Sequence, residues 1–463
     1  MVCRLWKIVA YSTPAIWCTP DFTFPQLARN MLLRSKASPL NILWKPTCRY
    51  YVDPLDQDSI FIEAARQTSR IASLDLLSGS VGVATLFRNA WSKMTEPAPL
   101  LHTIRIYCLS GLKGNLPISL PDSFLAGKAP RLTKLILTGC SINWRSTLLD
   151  NLTYLAIRYP PESLKPIVQT VFDALQRLPS LTHLELRHCI SLTSLPSLPS
   201  DRSPSLPCLR QMTLSVESEA CLALLKHMVF PDTAALHLIC YDVPQSFPVE
   251  HVFSHVLDLL APAATDHNHP RAIRGLVLTE ERLSLSLVAR NHDNCDLWSG
   301  ASDEYESVVL SSAIPHLRLD IRTQQPERIA TIHALLGHIP LIHLESLRVD
   351  CASPFPLPSM AHLLERSKRL KRLSLQDHVS SGSLELLSHK CMLPSLQKLT
   401  VVGVDFRPET AESPLLESLL ESLDSYRAEH GRPLEELVLT ECVGIYARDV
   451  QRVRSRVNLV VCL

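Results

Sequence analysis

The sequence predicts an α/β fold: a solenoid of stacked strand-and-helix repeats, with a parallel sheet on the concave face and helices on the convex face. Three observations predict it. A short pattern, Lxx-L-x-L followed by Cys or a small residue, recurs along the chain, as in LTKLILTGC (132–140), LTHLELRHC (181–189), LKRLSLQDH (370–378) and LEELVLTEC (434–442). Segments between the copies carry apolar residues at helical spacing. Prolines, 34 in 463 residues, punctuate turns before strands, as in RLPSL (177–181) and MLPSL (392–396).

The L-x-L portion alternates apolar and polar residues, the pattern of a short strand with one buried face. Further copies read LTYLAI (152–157), LESLRVDC (344–351) and LQKLTVVGV (396–404), and weaker ones begin near residues 71, 101, 209, 233, 273 and 314. Copies start roughly 25 to 31 residues apart, the spacing of leucine-rich repeats, and about thirteen irregular units fit within residues 46–463. The segments 163–178 and 411–429 read as helices, the first with Ile167, Val168, Val171, Phe172, Leu175 and Leu178 on one stripe. Cys140, Cys189 and Cys442 fall three residues past the second strand leucine, where this repeat uses Asn or Cys to pack its turn, so they read as buried structural thiols. Two insertions interrupt the array, a Ser/Pro-rich loop near 190–208 and a polar stretch near 288–306.

The composition excludes several classes. The 46 basic and 45 acidic residues give a net charge of +1, which provides no footprint for nucleic acid or an anionic membrane. No apolar run approaches the roughly 18 to 20 residues that span a bilayer. The fourteen cysteines form no CxxC pair, and a reducing compartment, cytoplasmic or nuclear, is the simplest reading. Phosphate-cradling, hydrolase-elbow and zincin motifs are absent, so the chain is not read as an enzyme and no cofactor is expected. DHNH (266–269) and NHDNCD (291–296) lack zinc-type spacing and read as solvated loops, so no metal is expected. Arg448, Arg452, Arg454 and Arg456 read as a solvated basic helix face.

The residues that line the concave face can be read from the pattern. The residue between the two strand leucines points outward. In chain order these are Asp75, Arg105, Ile136, Ala156, Glu185, Thr213, His237, Val277, Arg318, Arg348, Ser374, Thr400 and Val438. Among them Arg105, Glu185, His237, Arg318 and Arg348 are the candidate contacts to a protein target, arginine being enriched in interface hot spots.

The chain opens on VCRLWKIVAYSTPAIW (2–17). Here Val2, Leu5, Trp6 and Val9 lie at helical spacing and form one apolar face. The stretch resembles the second half of an F-box, with Val2, Cys3, Arg4, Trp6, Lys7, Ile8, Ala10 and Trp17 at matching positions. The following LARNMLLRSKASPLNILW (27–44) looks like the linker that joins F-box and repeats in fungal F-box proteins. The family's first half, with its Leu-Pro-x-Glu start, is absent, so the resemblance is to an F-box cut at its N-terminal half. It divides the chain into a partial F-box helix and linker (1–45) and the repeats (46–463). It implies a substrate-recognition adaptor of an SCF-type ubiquitin ligase, with a Skp-type linker protein held by Val2, Cys3, Leu5, Trp6 and Trp17 and an unknown protein substrate on the repeats. The alternative is a ligase-independent protein-binding scaffold, in which residues 2–17 merely cap the first repeat.

Overall fold

Two leucines separated by one residue lie on the same side of an extended chain, and the repeats turn that local rule into continuous apolar ladders. The computed structural model describes residues 4–45, 54–78, 81–108, 117–191, 203–231, 233–241, 275–279, 283–288, 317–321, 341–351, 357–377, 381–388, 392–407 and 415–462, with Leu336, Ile339 and Val379 between them. They form two compact units, Met1–Val216 with Ala223–Ala234, and Glu217–Leu222 with Ala235–Leu463.

In the first unit seven strands lie side by side in chain order, every neighbouring pair parallel. They are β1 (Leu40–Trp44), β2 (Ile71–Ser78), β3 (Thr103–Cys108), β4 (Lys134–Thr138), β5 (Tyr154–Arg158), β6 (His183–Arg187) and β7 (Gln211–Glu217). Leu74, Ile104, Leu135, Leu155, Leu184 and Met212 align across the strands, and all six are buried. Each such side chain stabilises by about 1.5–3 kcal/mol on leaving water. β1 precedes residue 46, so the sheet begins inside the segment assigned to the linker.

Polar repeats reinforce the apolar ones. The Thr of the LT motif sits just before the strand and donates back to the equivalent carbonyl of the preceding repeat. Thr133 bonds His102 at 3.3 Å, Thr153 bonds Thr133 at 3.2 Å and Thr182 bonds Thr153 at 2.8 Å. On the helix side an arginine clips successive repeats together. Arg70 donates to the Ser38 carbonyl, Arg177 to Trp144, Arg366 to Ile339 and Arg432 to Pro394. Each bond satisfies a turn carbonyl that would otherwise depend on water.

The helices α1 (Arg4–Ser12), α2 (Pro25–Arg34), α3 (Pro54–Ala65), α4 (Val81–Trp91), α5 (Val168–Leu175) and α6 (Ser218–His227) follow in chain order. The array is capped by residues 18–34. Phe22 packs on Trp44 and Phe61, with ring centroids 5.7 and 5.6 Å apart, and Phe87 and Trp91 extend the aromatic core. Asn41 of β1 donates its backbone N–H to the Cys18 carbonyl at 2.8 Å, so this loop also covers part of the edge strand. α5 is shorter than the predicted 163–178. Lys165 precedes a proline and is extended, Ile167 is also extended, and the helix starts after them. The SGSVG stretch ends β2 at Ser78 and opens α4 at Val81.

In the second unit the strands are β8 (Ala235–Tyr241), β9 (Gly275–Thr279), β10 (Leu283–Val288), β11 (Leu317–Ile321), β12 (Ser346–Cys351), β13 (Arg372–Asp377), β14 (Lys398–Val402), β15 (Leu434–Thr440) and β16 (Val457–Cys462). From β12 onward they are parallel and consecutive. The expectation of a uniformly parallel sheet fails before that point. The spatial order is β8-β11-β10-β9-β12, and β10 runs antiparallel to both neighbours. Only three residues separate β9 from β10, too few for the crossover a parallel pair requires, so the two strands close as a hairpin. The insertion loops lie largely outside the described residues, as do both His-rich stretches.

The helix Leu415–His430 starts after Pro414 and buries Leu419, Leu420, Leu423 and Tyr426. The Tyr426 hydroxyl donates to the Leu396 carbonyl of the preceding repeat at 2.8 Å. Tyr426→Phe keeps the ring and deletes this bond, and is expected to cost about 1 kcal/mol in urea denaturation. The terminal arginines are more engaged than a solvated face. Arg452 forks onto Glu417 at 2.8 and 2.7 Å, and Arg456 reaches Asp424 at 2.8 Å, both acids lying on that helix.

Candidate interaction surfaces

Of the strand-turn cysteines among the described residues, Cys442 is only half-buried, its thiol donating to the Val401 and Thr440 carbonyls, and the others are packed away. Cys108, Cys140 and Cys189 are fully buried. Burial pushes the Cys189 thiol up to about 12, and a hydrogen bond with Cys108 together with burial raises Cys140. Such thiols stay protonated and act as small apolar packing groups. Among the described residues no cluster of three or more His, Cys, Asp or Glu side chains is placed to hold a metal ion, and no helix is long and apolar enough to cross a membrane.

The first surface is α1. Its sequence alternates apolar and polar side chains with helical period, yet it buries none of them. Leu5, Trp6 and Ile8 are each about two-thirds exposed, at 68%, 67% and 64%, and Val9 is 43% exposed. Val2 and Cys3 lie outside the described residues. Trp17 has a different place from the other predicted contacts. It is half-buried, and its indole donates to the Ala10 carbonyl at 2.7 Å. The Arg34 guanidinium lies 3.8 Å from the Tyr11 ring centroid and 4.9 Å from that of Trp17. This cation–aromatic cluster ties the end of α1 to the end of α2 and leaves the Leu5–Val9 face open. Trp17 therefore positions the helix.

The second surface is the outward side of the first unit's sheet. The register aligns Asp75, Arg105, Ile136, Ala156, Glu185 and Thr213 in one column, as the L-x-L reading requires. Alignment does not bring exposure, however. Ile136, Ala156, Glu185 and Thr213 are all buried. The columns beside them carry Lys134, Tyr154 and His183 on one flank and Tyr107, Arg158 and Arg187 on the other, and short central side chains between such long ones lose contact with water. Arg105 remains accessible and pairs with Asp75 at 3.2 Å.

Glu185 is not available to a target. Arg158 grips both its oxygens, Nε to Oε1 at 2.8 Å and Nη2 to Oε2 at 2.6 Å, and Arg187 Nε stands 2.5 Å from Oε1. Burial pushes the Glu185 carboxyl up, but the hydrogen bond from Arg158 and the charge of Arg187 outweigh it and hold the group below the ordinary carboxylate range. Tyr154 stacks on His183 with centroids 5.3 Å apart, and the Lys134 ammonium lies 4.3 Å from the Tyr154 centroid. Tyr159 stacks on His188 at 5.0 Å in the turns that follow. Reading one residue per strand missed these neighbours. The signal that could have found them is the basic or aromatic residue two places before or after each central one.

In the second unit His237 is half-buried on β8, and Arg348 is half-buried on β12 with Nη2 donating to Gln376 at 2.5 Å. Arg318 occupies the register position opposite His237. The candidate contacts thus divide between the two units.

No family model matches the chain, and no curated protein matches it. Among solved structures it is similar to the leucine-rich repeat-containing protein LegL7 from Legionella pneumophila, with 13% identity, 84% of this chain and 89% of that chain covered, and a TM-score of 0.31. A likeness of that degree carries no argument. The repeat character rests on the strand registers of this chain itself.

Proposed function

We propose that the chain is a protein-binding repeat scaffold whose N-terminal helix docks a Skp-type linker, so that it serves as a substrate adaptor of an SCF-type ubiquitin ligase. One observation carries the reading: α1 presents Leu5, Trp6, Ile8 and Val9 to solvent and buries nothing. A helix that served only to cap the repeats would bury its apolar stripe against them. That task is already performed by residues 18–34, through Phe22, Ala28 and Leu32. A contiguous exposed apolar stripe is costly in water and marks a contact site for another protein. In this role the chain makes and breaks no bond. It raises the effective concentration of a target near the ubiquitin-carrying enzyme.

The test is binding of the 463-residue chain to a purified Skp-type linker, with Trp6→Ala as the probe. Trp6 is exposed, so the substitution is expected to move folding stability by less than about 0.5 kcal/mol. Loss of a large interface aromatic is expected to weaken linker binding at least about thirtyfold. A wild-type chain that binds no linker leaves a ligase-independent scaffold.

A further inference from the structure

The outward face of β3–β6 carries a charge imbalance that folding alone does not require. Its charged residues are Arg105, Lys134, Arg158, Arg187 and Glu185, and Asp75 joins them from β2. Four cations meet two carboxylates. Asp75 is taken by Arg105, and Glu185 is shared between Arg158 and Arg187. Lys134 has an aromatic ring as its neighbour rather than an acid. Burial and the neighbouring cations act on two groups in the same direction. Lys134 is lowered from its ordinary value by burial and then by Arg105 and Arg158, and His183 by burial and then by Lys134 and Arg210.

The arrangement is also shaped. Ile136 and Ala156 form a short apolar floor between Lys134, Tyr154 and His183 on one side and Tyr107, Arg158 and Arg187 on the other. Arg158 is held by two hydrogen bonds to the buried Glu185 carboxylate and Arg187 by an ion pair with it, so less side-chain entropy remains to be lost when a ligand arrives. Preorganised guanidinium groups beside aromatic rings suit planar carboxylates flanked by apolar side chains.

We infer that this face receives an acidic, extended segment of a partner protein, its carboxylates met by Lys134, Arg158 and Arg187. The inference rests on the reading of the repeats as a protein-binding scaffold and names the chemistry of the bound segment. A nucleic acid fits less well. The cations are confined to four strands, roughly 14 Å across at the usual strand spacing. The next strand, β7, continues the three columns with the uncharged Gln211, Thr213 and Ser215, and the nearby Arg210 precedes that strand at the His183 end, so the columns themselves carry no cationic track onward for a phosphate backbone.

The experiment uses the full chain and a labelled peptide of alternating Glu and Val, about twelve residues long, which spans the four strands when extended. Fluorescence anisotropy at low salt is expected to give saturable binding with Kd below about 100 µM, lost at high salt and absent for the Gln-for-Glu peptide. Lys134→Glu and Arg187→Gln are each expected to weaken it about tenfold, whereas Arg454→Glu on the exposed C-terminal helix leaves it unchanged. Thermal melts establish that each variant is folded, and Lys134→Glu lies outside the Glu185 pairing. No binding, equal binding of the Gln peptide, or indifference to both variants overturns the inference. Tighter binding of an oligothymidylate of similar length, lost in both variants, also overturns it and gives the face to nucleic acid. Linker binding is read at α1 through Trp6→Ala, so the two readings fail separately. Peptide binding without linker binding retires the ligase role, and linker binding without peptide binding retires this surface.

Discussion

Glu185→Gln is expected to lower the stability of the first unit by about 3 kcal/mol, read as a shift in the urea midpoint. The strand register places Arg158 of β5 directly opposite Arg187 of β6. Like charges in that position repel, and the two side chains are only 20% and 24% exposed, so water screens them poorly. The Glu185 carboxylate, 8% exposed, makes the pair tolerable by hydrogen-bonding Arg158 and forming an ion pair with Arg187. The amide retains the shape of the side chain and removes the charge, leaving two half-buried cations with no anion between them. Arg187→Gln in the Glu185→Gln background is then expected to recover more than half of the loss. A cost under about 1 kcal/mol for Glu185→Gln would mean that both arginines reach water without the carboxylate.

The same group shapes the acid limb of the stability curve. Its folded pKa lies below the ordinary carboxylate value. A depressed carboxylate contributes stability that is complete above the unfolded pKa and is lost as pH falls through the folded one. Between pH 6 and neutrality Glu185 therefore contributes its full effect, and the loss begins at about pH 5, where unfolded glutamate starts to protonate, and grows as the pH falls through the folded value. Titrating wild type and Glu185→Gln in parallel should show the variant with the flatter acid limb.

The ladders were readable because a leucine repeat is local information. Two apolar residues with one between them define a strand's buried side, and all the central residues from Asp75 to Thr213 fall in one register. What that column contacts was not readable, because exposure depends on its flanks. Ala156 is central and fully buried, whereas Lys134 and Arg187, one column away on either side, carry the surface's charge. The antiparallel β10 was missed for a similar reason. LSLSLV has the alternation of any other strand, and only the short connection from β9 reverses its direction. β16 was missed because VNLVVC holds valines where the repeats hold leucines, Val457 opposite Leu434 and Val460 opposite Leu437. For α1 the helical period was plain in the sequence. Whether its apolar face was covered depended on Phe22, Trp44 and Phe61 meeting one another instead of meeting that helix.

Gly139→Ala is expected to cost about 3–4 kcal/mol, although the residue lies in a turn. The backbone just past several strands adopts the left-handed conformation, at Gly139 (φ 69), Tyr159 (φ 50), His188 (φ 48), Gly403 (φ 69) and Glu441 (φ 55). The turn needs it. Left-handed backbone at 139, 159, 188 and 403 directs each N–H to a carbonyl of the next repeat: Arg158 at 2.9 Å, Arg187 at 2.8 Å, Ser215 at 2.6 Å and Thr440 at 2.9 Å. A side chain in this conformation costs about 1–2 kcal/mol, and Tyr159, His188 and Glu441 bear that cost. Conformational strain alone therefore does not reserve position 139 for glycine. The Cys108 carbonyl does, because a Cβ on residue 139 would lie 2.0 Å from that oxygen. The obstacle is backbone from the neighbouring repeat, so relief requires the β3 and β4 turns to part. Parting them strains the bond from Gly139 to Arg158 and opens the contact between the fully buried Cys108 and Cys140. Tyr159→Gly provides the comparison. It removes the strain and the stacking on His188 together, and is expected to change stability by less than about 1 kcal/mol. If urea denaturation instead finds the two substitutions equal, the turn relaxes around a methyl group and the close approach at Cys108 sets no limit on this position.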